Sequence, residues 1–104
     1  MEIDVLQLKA LRDAGEPHVL LDVREPRELA VCRIADTLHI PMQQVPQRLA
    51  EVPQDIPVVV MCHHGSRSGM VTRFLREQGY GKAVNLRGGI DAWAQAVDPS
   101  IARY

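Results

Sequence analysis

Runs of apolar residues alternate with segments of helical periodicity along the whole chain. Continuous apolar runs predict buried strands over residues 18–22, 37–40, 57–61 and 83–86. Apolar residues at helical spacing predict helices over residues 25–31, 41–50, 66–78 and 90–96, and one more between Asp4 and Gly15. Because the strand runs are continuous rather than alternating in polarity, we expect strands covered on both faces. The pattern predicts an α/β fold, a single domain whose parallel sheet of about five strands carries helices on both faces.

Residues at the ends of these segments support the predicted helices. Asp4 and Gln7 have the spacing of a capping box, and Pro26 suits the first turn of the second helix. In the longest helix, Ser66 is expected to cap the start and Gly79 to end it. That segment is the strongest helix prediction in the chain.

The composition fits one compact domain and removes several classes of function. The chain has 104 residues, of which 46% are apolar, enough for a single core. Its net charge is −1 and it has no basic stripe, so we expect neither nucleic-acid nor membrane binding. The N-terminus is acidic, no segment approaches the ~20 apolar residues that cross a bilayer, and two cysteines make no disulfide scaffold. We therefore expect a cytoplasmic protein with reduced thiols.

The candidate chemistry lies in the loop that follows the strand over residues 57–61. Cys62 is the first residue of this loop, at the carboxyl end of a strand, where parallel sheets place their reactive loops. Gly65 permits a tight bend that turns successive backbone amides inward, and the following helix adds its positive N-terminus. Such surroundings lower the pKa of a thiol and bind anions. We therefore predict that Cys62 is a reactive cysteine that faces an anion.

The other side chains of the loop are basic or hydroxylic. Arg67 lies in the first helical turn, where a cation opposes the helix dipole, and this placement makes sense if the loop holds an anion. No acidic residue occurs between Met61 and Arg76. The further side chains expected to donate to that anion are His63, His64, Ser66 and Ser68. The site is therefore expected to stabilise a thiolate or a negatively charged group bonded to the sulfur.

This loop, CHHGSRS over residues 62–68, resembles the active-site loop of single-domain rhodaneses, which are sulfurtransferases. Three further segments are similar to motifs of that family and occur in the same order: DVREPRE at 22–28, IADTLHIP at 34–41 and NLRGGIDAW at 85–93. The resemblance spans nearly the whole chain. One departure is a missing glycine between residues 31 and 36, where Asp36 is expected to supply the hydrogen bonds of the turn.

The resemblance implies a two-step sulfur transfer that needs no metal or organic cofactor. The Cys62 thiolate would take the outer sulfur of a small anionic donor such as thiosulfate, and cyanide, a thiol or a protein would then accept it. Arg67 would bind the sulfonate end of the donor, while Gly65 and the loop amides would hold the persulfide, with His63 and His64 at the rim. The ion-paired support beneath the loop is expected to consist of Asp22, Arg24 and Glu28.

The resemblance also implies a fold that supports two kinds of chemistry, sulfur transfer and reactions of phosphate or arsenate. The length of the active-site loop distinguishes the two. Relatives that act on phosphate or arsenate carry one more residue than the four that lie between Cys62 and Arg67 here. A sulfur-carrier module that receives a persulfide from a protein donor shares the chemistry of the leading hypothesis and stays open as an alternative. A phosphatase or arsenate reductase, or a catalytically silent interaction domain, is less favoured.

Other residues of chemical interest are given structural interpretations. Cys32 lacks a cationic neighbourhood beyond Arg33, so we interpret it as structural, with a resolving thiol as the alternative. The cysteine–histidine–histidine run of the loop lacks the spacing of a metal-ligand set, and no metal is expected. Gly88 and Gly89 before the last helix are interpreted as a structural turn rather than a phosphate-binding nest.

Overall fold

The sheet is fully parallel and has five strands. The computed structural model describes residues 1–104, and its strands are β1 (Glu2–Ile3), β2 (Val19–Asp22), β3 (Leu38–His39), β4 (Val58–Met61) and β5 (Ala83–Leu86). They lie in the order β1-β5-β4-β2-β3, and each strand pairs in parallel with its neighbours. β4 is central, and its register with β2 places Asp22 opposite Met61. The residue after Met61, Cys62, therefore leaves the middle of the sheet beside the end of β2.

Helices cover both faces of this sheet, which confirms the predicted α/β architecture. They are α1 (Val5–Asp13), α2 (Pro26–Leu29), α3 (Ser66–Glu77) and α4 (Gly89–Ala96). On the face covered by α3, the core includes Val58, Val60, Val71 and Leu75. On the face covered by α1 and α4, the core includes Leu8, Val59, Met61, Ile90 and Trp93. None of the helices has both the length and the apolar character needed to cross a membrane.

The segment after β3 differs from the predicted helix over residues 41–50. It contains two short 3-10 helices, Met42–Gln44 and Leu49–Glu51, joined by turns. Pro46 lies between them, and proline has no amide proton and clashes with the preceding turn of an α-helix. The helix prediction was wrong because a regular helix cannot continue through that residue without a break.

The predicted helix ends are confirmed at the capping box of α1, at Pro26 of α2 and at Gly79 after α3, and two predictions about caps and turns are corrected. The capping box of α1 is present, since the Gln7 amide donates to Asp4 Oδ1 at 2.9 Å and the Asp4 amide to Gln7 Oε1 at 2.8 Å. At α3, however, Gly65 occupies the N-cap with a φ of 111°, and Ser66 does not cap the helix. Asp36 makes no side-chain hydrogen bond; its φ of 59° replaces the missing glycine through backbone conformation instead.

Candidate active site

The Cys62 sulfur lies at the carboxyl end of the central strand and is enclosed by the loop that follows. Cys62 is 1% exposed, and its Sγ accepts a hydrogen bond from the Gly65 amide at 3.1 Å and lies 3.2 Å from the Ser68 hydroxyl. Burial by itself raises the pKa of this thiol. The Ser68 hydroxyl and the backbone amides of Ser68, Gly65 and His64 outweigh that effect, so the pKa lies below its ordinary value. The loop therefore favours the thiolate.

The first turn of α4 holds the loop in this position. The amide of Ile90 donates to the carbonyl of Cys62 at 2.9 Å, and the amide of Asp91 donates to the carbonyl of His63 at 3.1 Å. Gly89 permits this close approach, because a Cβ there would lie 2.5 Å from the carbonyl oxygen of Cys62. The glycine pair at the start of α4, Gly88 at the N-cap and Gly89 as the first helical residue, thus forms a structural turn. With the loop carbonyls held by α4, the loop amides are free to face the sulfur.

Arg67 is paired with a carboxylate that comes from another part of the chain. Its Nη1 donates to Glu28 Oε1 at 2.6 Å and its Nη2 to Glu28 Oε2 at 2.8 Å. The Arg67 side chain is 31% exposed and that of Glu28 is 10% exposed. Although the loop itself contains no acid, α2 brings this one into contact with it. An anion would therefore meet the exposed part of a guanidinium whose charge is partly compensated.

The side chains of Asp22 and Arg24 form a second ion pair, at the end of β2, and both are 0% exposed. Arg24 Nη2 donates to Asp22 Oδ2 at 2.8 Å, and Arg24 Nε donates to Asp22 Oδ1 at 3.0 Å. Burial disfavours the charged guanidinium, but these hydrogen bonds outweigh it and the pKa of Arg24 is raised. Arg24 also donates to the Cys32 carbonyl at 2.9 Å. The pair therefore ties the end of β2 to the chain that follows α2.

The two histidines of the loop have different environments. The His63 ring stacks on Tyr104 with a centroid distance of 3.8 Å and an angle of 7°, and its Nε2 is buried without a hydrogen-bond partner. Burial and the neighbouring His64 lower the pKa of His63, which favours its neutral form. The His64 side chain is 64% exposed, with its Nδ1 3.8 Å from Asp91 Oδ2. His64 therefore lies at the exposed rim of the loop, whereas His63 packs into the protein against Tyr104.

Sequence reasoning missed two residues that contact the site. Asn85 of β5 hydrogen-bonds to Ser68 and to the Gly65 carbonyl. The Tyr104 hydroxyl donates to Glu28 Oε2 at 2.5 Å and accepts from Arg24 at 3.0 Å. Asn85 is the first residue of the NLRGGIDAW segment, which marks it as part of a motif but not as a contact of the loop, and Tyr104 lies in no motif. Both residues reach the site only through the folding of the chain. In contrast, the predicted site residue Ser66 is exposed, and its side chain makes no hydrogen bond.

Two clefts border α3, one at its first turn and one along its middle and end. One has a volume of about 470 Å³ and is lined by Arg27, Glu28, Val31, Arg67 and Tyr104. The other has a volume of about 610 Å³ and is lined mainly by charged and polar side chains, including Arg73, Arg76 and Asn85. Only the smaller of the two is lined by a residue of the loop 62–68. The smaller cleft is therefore the candidate binding site, because Arg67 of the loop lines it, although the other cleft has the greater volume.

Comparison with known proteins places this fold and loop in a family. Residues 4–96 match the sequence model of the rhodanese-like domain. The chain belongs to the rhodanese-like domain family. A protein named sulfurtransferase from Allochromatium vinosum is 43% identical to this rhodanese-like domain over 101 residues, which cover 97% of this chain and 94% of that protein. The family resemblance seen in the four sequence motifs is thus confirmed.

Two further matches show this rhodanese-like domain both alone and within a longer protein. The crystal structure of a rhodanese-like domain protein from Staphylococcus aureus has a TM-score of 0.86 and 30% identity, and the match covers 100% of this chain and 99% of that one. The adenylyltransferase and sulfurtransferase MOCS3-2 from Zea mays is 34% identical over 105 residues, covering 94% of this chain and 22% of that protein. The same fold therefore occurs in proteins of different length.

Proposed function

We propose that this rhodanese-like domain transfers a sulfane sulfur from thiosulfate, or from a small persulfide donor, to a thiophilic acceptor through a persulfide on Cys62. The observation that carries the proposal is the cradle around Cys62 Sγ, where the Gly65 amide lies at 3.1 Å and the Ser68 hydroxyl at 3.2 Å. The backbone amides of the loop, which favour the thiolate, also favour the anionic outer sulfur of a persulfide. The acceptor would be cyanide, a thiol or a protein.

The chemistry consists of two displacements at sulfur. In the first, the Cys62 thiolate attacks the outer sulfur of thiosulfate, a new S–S bond forms at Sγ, and sulfite leaves with the electron pair of the broken S–S bond. In the second, cyanide or another nucleophile attacks the outer sulfur of the persulfide. The Sγ–S bond breaks, and the thiolate of Cys62 leaves with its electrons. The two steps are balanced without a cofactor, and each produces or consumes the thiolate that the loop stabilises.

The donor is proposed to bind in the cleft of about 470 Å³ beside Arg67. Arg27 and Arg67 supply two cations to its lining, against the single carboxylate of Glu28. An oxyanion such as the sulfonate end of thiosulfate is therefore matched in charge. Asp22, Arg24 and Glu28 are proposed to support the loop rather than to react.

The persulfide is tested by the intact mass of the protein. Incubation with thiosulfate should add one sulfur, about 32 Da, and cyanide should remove it. The Cys62→Ser variant should take up no sulfur, whereas the matched Cys32→Ser variant should behave as the wild type. Sulfur found on Cys32 alone, or turnover in Cys62→Ser, would refute the assignment. In steady-state turnover of thiosulfate with cyanide as the acceptor, Arg67→Ala should raise the KM for thiosulfate more than it lowers kcat. The control Arg73→Ala, at an exposed position in the other cleft, should change neither constant.

A second candidate function is a relay module that receives its sulfur from a protein persulfide. The match to 22% of the longer MOCS3-2 sulfurtransferase favours it, because that protein contains a domain of this kind within a larger chain. The two functions share the Cys62 persulfide and differ in the donor. Saturable turnover with thiosulfate supports the first function. Sulfur uptake only from a persulfidated protein supports the second.

A further inference from the structure

Asn85 is a polar residue inside the parallel sheet, where its side chain contacts the beginning of α3. It lies on β5 opposite Val60 of β4. Its Nδ2 donates to the Gly65 carbonyl at 3.1 Å, and its Oδ1 accepts from the Ser68 hydroxyl at 2.6 Å. Because one end of the amide must donate and the other must accept, these two contacts fix its orientation. Asn85 Oδ1 therefore always faces Ser68.

The Ser68 hydroxyl has one proton and two possible acceptors. Cys62 Sγ lies 3.2 Å from Ser68 Oγ, and Asn85 Oδ1 lies 2.6 Å from it. Ser68 is 0% exposed, so solvent does not offer a third partner. A hydroxyl donates one hydrogen bond at a time, and the sulfur and the amide therefore compete for this proton.

We propose that Asn85 is a positioning residue for the sulfur chemistry, because it gives the Ser68 proton a second acceptor when Cys62 Sγ is uncharged. The inference rests on the proposed function. In the thiolate, the charge on Sγ attracts the Ser68 proton. In the persulfide, Sγ is a neutral sulfur with two bonds and the charge lies on the outer sulfur. Ser68 Oγ–H then turns to Asn85 Oδ1, so the buried hydroxyl is never left without an acceptor. The proton stays on Ser68 throughout, and only its direction changes.

This arrangement gives Asn85 an effect on both forms of Cys62. By competing for the Ser68 proton, it weakens the hydrogen bond to the thiolate. By accepting the proton in the persulfide, it stabilises that form. None of the charged and titratable groups of the loop and of the elements beside it hydrogen-bonds to Asn85. These groups are Arg67, His63 and His64 of the loop, Asp22 and Arg24 at the end of β2, Glu28 of α2, Asp91 of α4 and Tyr104. Asn85 also bonds the Gly65 carbonyl, and a comparison with and without the Ser68 hydroxyl separates that contact from the effect through the Ser68 proton.

A double-mutant cycle tests this dependence, in a Cys32→Ser background so that a single thiol reports. The pKa of Cys62 is measured from the rate of alkylation by iodoacetamide against pH in Asn85→Leu, Ser68→Ala and the double variant. Asn85→Leu should lower this pKa by about 0.5 or more, because Ser68 then donates to the thiolate alone. Ser68→Ala should raise it, and Asn85→Leu should add nothing in the Ser68→Ala background. An increase in pKa on Asn85→Leu, or an equal shift with and without Ser68, would overturn the proposal.

A second readout uses the persulfide itself. Thiosulfate and sulfite are held at a fixed ratio that leaves most of the protein unmodified. Under these conditions the persulfidated fraction of Asn85→Leu should be roughly fivefold lower than that of the parent protein with Asn85. When both proteins carry Ser68→Ala, their persulfidated fractions should be equal. If Asn85→Leu does not fold, Asn85→Asp takes its place, because an aspartate carboxylate accepts the Ser68 proton more strongly than the amide does. Asn85→Asp should then raise the pKa of Cys62 more when Ser68 is present than in the Ser68→Ala background. The alkylation cycle needs no sulfur donor. Its failure is therefore distinguishable from a failure of the protein to accept sulfur from thiosulfate.

Discussion

Because Glu28 and Arg67 form an ion pair, we predict that part of the free energy of unfolding depends on pH and is lost in the Glu28→Gln variant. The two carboxylate oxygens of Glu28 accept from Arg67 at 2.6 and 2.8 Å, and Glu28 is 9% exposed. The hydrogen bonds from Arg67 lower the pKa of Glu28 from 4.5 to about 2, against the opposing effect of burial, and the Tyr104 hydroxyl adds to them. The carboxylate is therefore much more favourable in the folded protein than in the unfolded chain.

The size of the effect follows from the difference between the two pKa values. A shift from 4.5 to about 2 corresponds to at most ~3.5 kcal/mol at ~1.4 kcal/mol per unit. Because the Arg67 side chain is 31% exposed, solvent screening reduces the expected contribution to ~1–2 kcal/mol. The folded-state pKa is the lower one, so this stability is present above pH 4.5 and is lost as the pH falls towards 2.

Urea unfolding at pH 7 and pH 3 measures this contribution. At pH 7, Glu28→Gln should lower the free energy of unfolding by ~1–2 kcal/mol relative to the wild type, and at pH 3 the difference should shrink to less than about half. Glu16→Gln is the matched control, since Glu16 is exposed and forms no ion pair. A loss of the same size at both pH values, or a loss at pH 7 no larger than that of the control, would refute the electrostatic reasoning.

Two further predictions concern contacts around the loop. Gly89→Ala should lower the free energy of unfolding by roughly 3 kcal/mol or more, because a Cβ there would lie 2.5 Å from the carbonyl oxygen of Cys62. The control is Gly15→Ala, since Gly15 has a similar φ of 64° but nothing within 4 Å of an added Cβ. This control should lower the free energy of unfolding by only about 1 kcal/mol, through backbone strain. Equal losses in urea unfolding would contradict the close approach. Tyr104→Phe keeps the ring on His63 but removes the hydroxyl that donates to Glu28, so the pKa of Glu28 in a carboxyl NMR titration should rise towards its ordinary value. An unchanged pKa would show that this hydroxyl does not stabilise the carboxylate.

The elements that position the site could be predicted from the sequence because their signals are local. β4, α3 and β5 follow the expected ranges to within one residue at each end. The predicted helix over residues 41–50 failed because its apolar spacing was given more weight than Pro46, which interrupts a helix. β1 was not predicted, since two residues are too short to show a periodic pattern and pairing with β5 alone defines them.

The reactive loop was also locally encoded, but its surroundings were not. Cys62, Gly65 and Ser68 are close in sequence, and a strand, a glycine and a helix place them around one sulfur. The carboxylate that pairs with Arg67 lies 39 residues away in the chain, and the tyrosine that contacts that carboxylate lies 76 residues from it. Contacts at such separations depend on the packing of whole elements, and no periodicity in one segment reports them.

The close contact between the loop and α4 has a consequence for how the chemistry of this fold diversifies. Gly65 has a φ of 111°, which strains any other residue, and a Cβ there would also lie 3.3 Å from the amide nitrogen of Gly88. A Cβ at Gly89 would meet the carbonyls of Cys62 and His63, so glycine is favoured on each side of the junction. The carbonyls of Cys62 and His63 accept from the first amides of α4, so a change in the loop that moved them would break both hydrogen bonds. The loop and the start of α4 are therefore constrained to change together, although they are far apart in the sequence.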